Sequence, residues 1–76
     1  MAAQPKPLEL NQASRAELES MPGLGPSLVE RLLVERAKAS FVDWADMRSR
    51  VSGLGAKTAK KLSAMGLRIN GLAYPD

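Results

Sequence analysis

Between Ser14 and Gly66 the apolar residues recur at intervals of three and four, and the pattern is broken twice by the same triplet, Gly-Leu-Gly. Such spacing belongs to helices that bury one face. Sliding the chain against itself shows a repeat at an offset of 30 residues. Met21, Gly23, Leu24, Gly25, Val29, Arg31 and Leu32 fall on Val51, Gly53, Leu54, Gly55, Ala59, Lys61 and Leu62. Size and polarity match at each pair, so the chain reads as two copies of one unit: helix, tight turn, helix.

The first helix opens at Ser14, where Ser14-Arg15-Ala16-Glu17 is a capping box, and runs to about Ser20. Pro22 disfavours helical geometry at Met21, Gly23-Leu24-Gly25 permits the reversal, and Pro26 suits the first turn of a helix reaching about Ala39. Leu28, Val29, Leu32, Leu33 and Ala37 form its apolar stripe, with Glu30, Arg31, Glu35, Arg36 and Lys38 mostly solvated. Ser40-Phe41-Val42 connects the copies, Asp43 caps a short helix with Asp46 three positions on, and Met47 and Val51 face inward. A fourth helix spans about Ala56 to Met65 with Ala59 and Leu62 inward, and Gly66 stops it. Leu67 to Leu72 are expected to pack back as an extended tail, and Met1 to Leu8 to be mobile. The resulting organisation is a flexible segment at 1–9, a domain at 10–70 with turns centred on 23–25 and 53–55, and a tail at 71–76. The fold class expected is all-α, a compact bundle of four to five short helices.

Composition narrows the functions open to such a bundle. With 76 residues, 45% hydrophobic and 25% charged, the chain suits one small folded domain, with no room for a substrate cavity of several hundred Å³. Cysteine and histidine are both absent, which excludes disulfides, Cys-type zinc sites and thiol catalysis and removes the usual general base. No enzyme activity, metal or resident cofactor is expected. The chain as written shows no apolar run suited to a signal peptide or a membrane span, so a cytoplasmic protein is expected.

The net charge of +3 is unevenly spread. Through Trp44 five basic residues face six acids, giving −1; from Ala45 onward six basic residues face two acids, giving +4. The positive half favours a polyanionic partner, and Lys57, Lys60 and Lys61 concentrate charge on the fourth helix. A helix that begins after a Gly-x-Gly turn also presents unpaired N–H groups and a dipole end worth about +0.5 charge. A side chain at Gly25 or Gly55 would hold a phosphate oxygen away from those donors and oppose positive φ. Two such turns could engage two phosphates, one from each strand across a minor groove.

Leu18-Glu19-Ser20-Met21-Pro22-Gly23-Leu24-Gly25-Pro26-Ser27 resembles the first helix-hairpin-helix motif of the ComEA-like competence proteins. Asn11-Gln12-Ala13-Ser14, Ser40-Phe41-Val42-Asp43 and Val51-Ser52-Gly53-Leu54-Gly55 resemble that family's lead-in, connector and second motif, so the resemblance covers about Leu10 to Ile69. It implies a SAM-like tandem helix-hairpin-helix domain that grips double-stranded DNA through phosphates, without base specificity, in bacterial DNA uptake or DNA repair. Gly23, Leu24, Gly25 and Ser27 would form one contact; Gly53, Leu54, Gly55, Lys57 and Thr58 the other, with Lys60 and Lys61 adding charge. In some members the hairpin carbonyls hold a monovalent cation. ComEA itself is membrane-anchored, so a domain excised from such a protein would be periplasmic or extracellular. The first copy departs from the pattern at Val29, where alanine is usual, and at Leu28, where a basic or polar residue is usual. The second hairpin is therefore expected to be the stronger contact.

The alternative is a protein-interaction module in which the hairpins are scaffold, with exposed Leu28 and Leu33 as its docking residues. Sequence-specific reading by the 26–39 helix is disfavoured because it carries paired Glu and Arg rather than base-reading Asn or Gln. Trp44 is assigned to packing rather than base stacking, since Phe41 and Tyr74 offer no second platform nearby in sequence. Arg48 and Arg50 are open between phosphate contact and plain exposure.

Overall fold

The computed structural model describes residues 7–75, which form four α-helices and one pair of two-residue strands. In chain order these are β1 (Leu8–Glu9), α1 (Arg15–Glu19), α2 (Pro26–Lys38), α3 (Trp44–Arg50), α4 (Ala56–Ala64) and β2 (Leu67–Arg68). The repeat is visible in the core: Met21 and Val51, Leu24 and Leu54, Val29 and Ala59, and Leu32 and Leu62 are all buried. Phe41, Trp44 and Ile69 close the core between and beneath the copies, each at most 2% exposed.

The all-α expectation needs one correction. Helices dominate, yet β1 and β2 pair in parallel, Leu8 with Leu67 and Glu9 with Arg68. The Leu8 N–H donates to the Gly66 carbonyl at 2.9 Å and the Leu10 N–H to the Arg68 carbonyl at 2.8 Å, so the two ends satisfy each other's backbone. Leu8 and Glu9 thus belong to the folded unit and not to a flexible segment running through residue 9. Residues 1–6 of that expected segment lie outside the described residues.

Of the extended tail expected at 67–72, Leu67 and Arg68 are extended in β2, and the chain then turns back as a short hairpin. Asn70 and Gly71 adopt positive φ, 53° and 77°, and Ile69 and Leu72 exchange both backbone hydrogen bonds, at 3.1 and 2.9 Å. The Glu9 carboxylate accepts from the N–H groups of Asn70 and Gly71 at 2.9 Å each. Asn11 exchanges two bonds with the Phe41 backbone, at 3.0 and 2.8 Å, and the Asn70 amide donates to the Phe41 and Val42 carbonyls. Both ends are therefore tied to the connector between the copies. Part of the 71–76 tail is also built in: Trp44 Nε1–H donates to the Leu72 carbonyl at 2.8 Å, and Tyr74 meets the Trp44 ring edge-on with centroids 5.5 Å apart.

Helix α2 buries a narrower stripe than expected: Val29 and Leu32 are buried, Leu28 and Leu33 half-buried, and Ala37 exposed. Several of its charged residues serve structure. Arg36 donates to the Leu10 and Ala13 carbonyls at 2.8 and 2.6 Å, fastening the lead-in to the helix. Arg50 of α3 donates to the Glu35 carbonyl and, at 2.7 Å, to the Ala39 carbonyl, closing the C-terminal end of α2. Its guanidinium also lies 4.6 Å from the Phe41 ring centroid and 3.0 Å from Asp46.

Both expected side-chain caps form. In α1 the Glu17 N–H donates to Ser14 Oγ at 3.1 Å and the Ser14 N–H to Glu17 Oε1 at 2.8 Å. In α3 the Asp46 N–H donates to Asp43 Oδ1 at 2.8 Å, and Asp46 Oδ2 accepts from the Val42 N–H at 2.9 Å. The Val42 N–H, joined by Arg50 and opposed by partial desolvation, holds the Asp46 carboxyl below its ordinary value of 3.8. A lowered carboxylate contributes stability that is fully present above the unfolded value and is lost as the pH falls through the folded one. Asp46→Asn should therefore flatten the acid side of the stability curve in thermal melts followed by circular dichroism. An acid limb identical to the parent's would count against this cap.

Candidate nucleic-acid interface

The chain reverses between α1 and α2 at Gly23, φ 95°, and between α3 and α4 at Gly53, φ 89°. Only glycine adopts such values without strain. Gly25 and Gly55 have φ of −80° and −84° with extended ψ, a geometry open to any residue. The expectation of positive φ at Gly25 and Gly55 is thus corrected: the reversal is made at the first glycine of each triplet. A Cβ built on Gly25 or Gly55 meets nothing within 4 Å. No internal contact requires glycine at these two positions, and what glycine does there is leave open the space in front of the helix.

Gly25 and Gly55 are the N-caps of α2 and α4, and neither helix has a side-chain cap. By contrast α1 is capped by Ser14 and α3 by Asp43. The two helices that follow the hairpins therefore keep their first N–H groups available. Pro26 removes one donor from α2, leaving Ser27 and Leu28 in its first turn, whereas α4 offers Ala56, Lys57 and Thr58.

Leu24 and Leu54 are 5% and 4% exposed, so their side chains fill the core and only their backbone can meet a partner. Gly23, Gly25, Ser27, Gly53, Gly55 and Lys57 are exposed, and Thr58 is half-buried. The hairpins are neighbours: Leu28 Cδ2 lies 4.0 Å from the place a Cβ on Gly53 would take. Leu28 thus packs toward the second hairpin, which accounts for an apolar residue there. With Leu28 and Leu33 both half-buried, neither is the exposed docking residue of the alternative reading.

The three lysines of α4 do not form one cluster. Lys57 stands at the helix start, Lys61 lines a hollow of about 350 Å³ with Pro22 and Gly23 of the first hairpin, and Lys60 lines another with Ala73 and Tyr74. Arg50 is committed to α2, and Arg48 donates to the Tyr74 hydroxyl at 3.0 Å. Trp44 is 2% exposed, in keeping with its packing role.

Periodicity alone places Arg31 among the solvated charges of α2. In the structure it reaches the second hairpin, donating to the Ser52 carbonyl at 3.0 Å, with Nη1 2.9 Å from the Cβ position of Gly53. The available signal was its repeat partner, Lys61. Among the described residues neither Arg31, Lys57 nor Lys61 has an acidic partner, whereas Arg15, Lys38 and Arg50 are ion-paired. The positive charge at the turns is therefore not neutralised within the described fold.

The described residues include no group of three or more His, Cys, Asp or Glu that could hold a metal, and no helix long and apolar enough to cross a membrane. A family model for the helix-hairpin-helix motif matches residues 4–65. No curated protein and no solved structure matches the chain.

Proposed function

Because the chain belongs to the helix-hairpin-helix family, whose motif is typically nucleic-acid binding, we propose that it binds double-stranded DNA without reading its sequence. The hairpin N–H groups and the cations beside them take the phosphates, one hairpin to each strand across the minor groove. It acts as a binding module rather than an enzyme, in DNA uptake or repair. The observation that carries this reading is the pair of open caps at Gly25 and Gly55, where glycine has no internal reason and the first-turn donors have no side-chain partner. Beside the backbone donors, the exposed side chains at the hairpins include Ser27, Arg31, Lys57 and Lys61 and no Asn or Gln, a set suited to phosphates. A monovalent cation on the Ser52 carbonyl would share that oxygen with the Arg31 guanidinium, which donates to it at 3.0 Å.

The test uses Gly55→Ser. Serine is as good an N-cap as glycine or better by a few tenths of a kcal/mol, so the fold should keep its melting temperature. Its hydroxyl takes up a first-turn N–H, and its Cβ stands where a phosphate oxygen would approach. Affinity for a labelled duplex, measured by fluorescence anisotropy, should fall by about tenfold or more for every sequence alike, as expected for losing a hydrogen bond to a charged group. Gly53→Ala shows the opposite profile: forcing alanine to φ near 89° lowers stability by about 1–2 kcal/mol. A Gly55→Ser protein that binds as well as the parent would overturn the proposal.

A further inference from the structure

We propose that the two phosphate sites are completed crosswise: Arg31 of the first repeat serves the second hairpin, and Lys61 of the second repeat serves the first. This rests on the DNA-binding reading and assigns its cations. Arg31 and Lys61 are repeat equivalents, each six residues past the second glycine of its own triplet. Six residues of α-helix carry a side chain about 9 Å along the axis from the helix start. Neither cation therefore stands at its own hairpin. Arg31 is instead bonded to the Ser52 carbonyl of the second hairpin, beside Gly53. Lys61 shares the hollow lined by Pro22 and Gly23 of the first.

The chemistry suits the role. Arg31 uses one N–H on Ser52, and a guanidinium has five, so donors remain for a phosphate oxygen beside the open cap. Lys61 offers a compact, mobile charge to a hairpin whose own helix carries no lysine in its first turn. The two surroundings differ in sign. Glu30 and Glu35 line the hollow that holds Arg31 and Ser52, whereas their repeat equivalents are Lys60 and Met65, and no acid lines the hollow of Lys61. Glu30 is bonded to Arg15 at 2.9 Å and Glu35 to Lys38 at 2.8 Å, so those acids are occupied by other cations and Arg31 keeps its charge for a ligand. The first hairpin is then a full phosphate site, with Lys61 as its cation, rather than a structural relic of the repeat.

Double-mutant cycles test the assignment on the full chain. Arg31→Gln and Lys61→Gln are made alone and combined with Gly25→Ser or Gly55→Ser, and each is titrated into a labelled random-sequence duplex at several salt concentrations. Each Gln variant should bind about fivefold more weakly, with the salt slope reduced by about 0.9. Arg31→Gln should be non-additive with Gly55→Ser and additive with Gly25→Ser, and Lys61→Gln should show the reverse. Arg31→Lys keeps the charge while giving up the guanidinium geometry, so restored salt slope in that variant separates phosphate binding from the Ser52 bond. Coupling of either cation to its own repeat's hairpin overturns the crosswise assignment. So do Gln variants with parental affinity and slope while the Ser variants are weakened. Parental affinity in the Ser variants themselves instead removes the DNA reading on which the assignment rests.

Discussion

Raising the salt from 50 to 200 mM should lower the affinity of this protein for a random-sequence duplex by about fortyfold, the loss set by about three phosphates neutralised by Lys or Arg at a slope near −0.9 each. The number follows from the cations at the interface: Lys57 at the start of α4, and Arg31 and Lys61 at the hairpins. These cations have no acidic partner among the described residues, so the counterions they displace from DNA are released rather than exchanged for an internal salt bridge. Titrations by fluorescence anisotropy at the two salt concentrations check this directly. Affinity that is flat with salt would mean that phosphates are not what the hairpins hold.

The largest stability effect is expected at Trp44. Its ring is 2% exposed, its Nε1–H is bonded to the Leu72 carbonyl at 2.8 Å, and Tyr74 packs against it. Trp44→Ala empties the centre of the fold and leaves that carbonyl without its donor, at a cost of about 3–5 kcal/mol. A domain of this length has about 4–11 kcal/mol in all, so the variant should be largely unfolded or close to it. Trp44→Phe keeps most of the volume and loses one hydrogen bond, about 1 kcal/mol. Urea titration measures both costs. DNA affinity of Trp44→Phe should match the parent, because the ring faces the core; a weakened but folded Trp44→Phe would restore a base-stacking role.

The two kinds of glycine show how far local pattern carries. The triplet spacing located both hairpins, and each of these reversals uses one glycine at positive φ. Which glycine takes that φ is decided by how the turn docks, and it is Gly23 and Gly53. The assignment matters because it frees Gly25 and Gly55 from any conformational duty and leaves their openness to a partner as what sets them apart. Among the charges, the capping roles of Ser14, Asp43 and Asp46 were legible because each acts within four residues of itself. The roles of Arg31, Arg36 and Arg50 were not, since each reaches a carbonyl 10 or more residues away in sequence.

The sequence by itself determined the repeat, the four helices, the side-chain caps, the buried apolar pairs and the place of both hairpins. All of these arise from interactions within one or two helical turns or from hydrophobic periodicity, which a linear chain records. Only the tertiary structure decided that Glu9 clasps the Asn70-Gly71 turn, that two-residue strands join the ends, and that Lys60 and Lys61 serve different sides of α4. It also decided that Arg31 crosses to the other repeat's hairpin. Two-residue strands are too short to show a period, and a long flexible cation has no preferred partner until packing fixes which carbonyl lies within its reach.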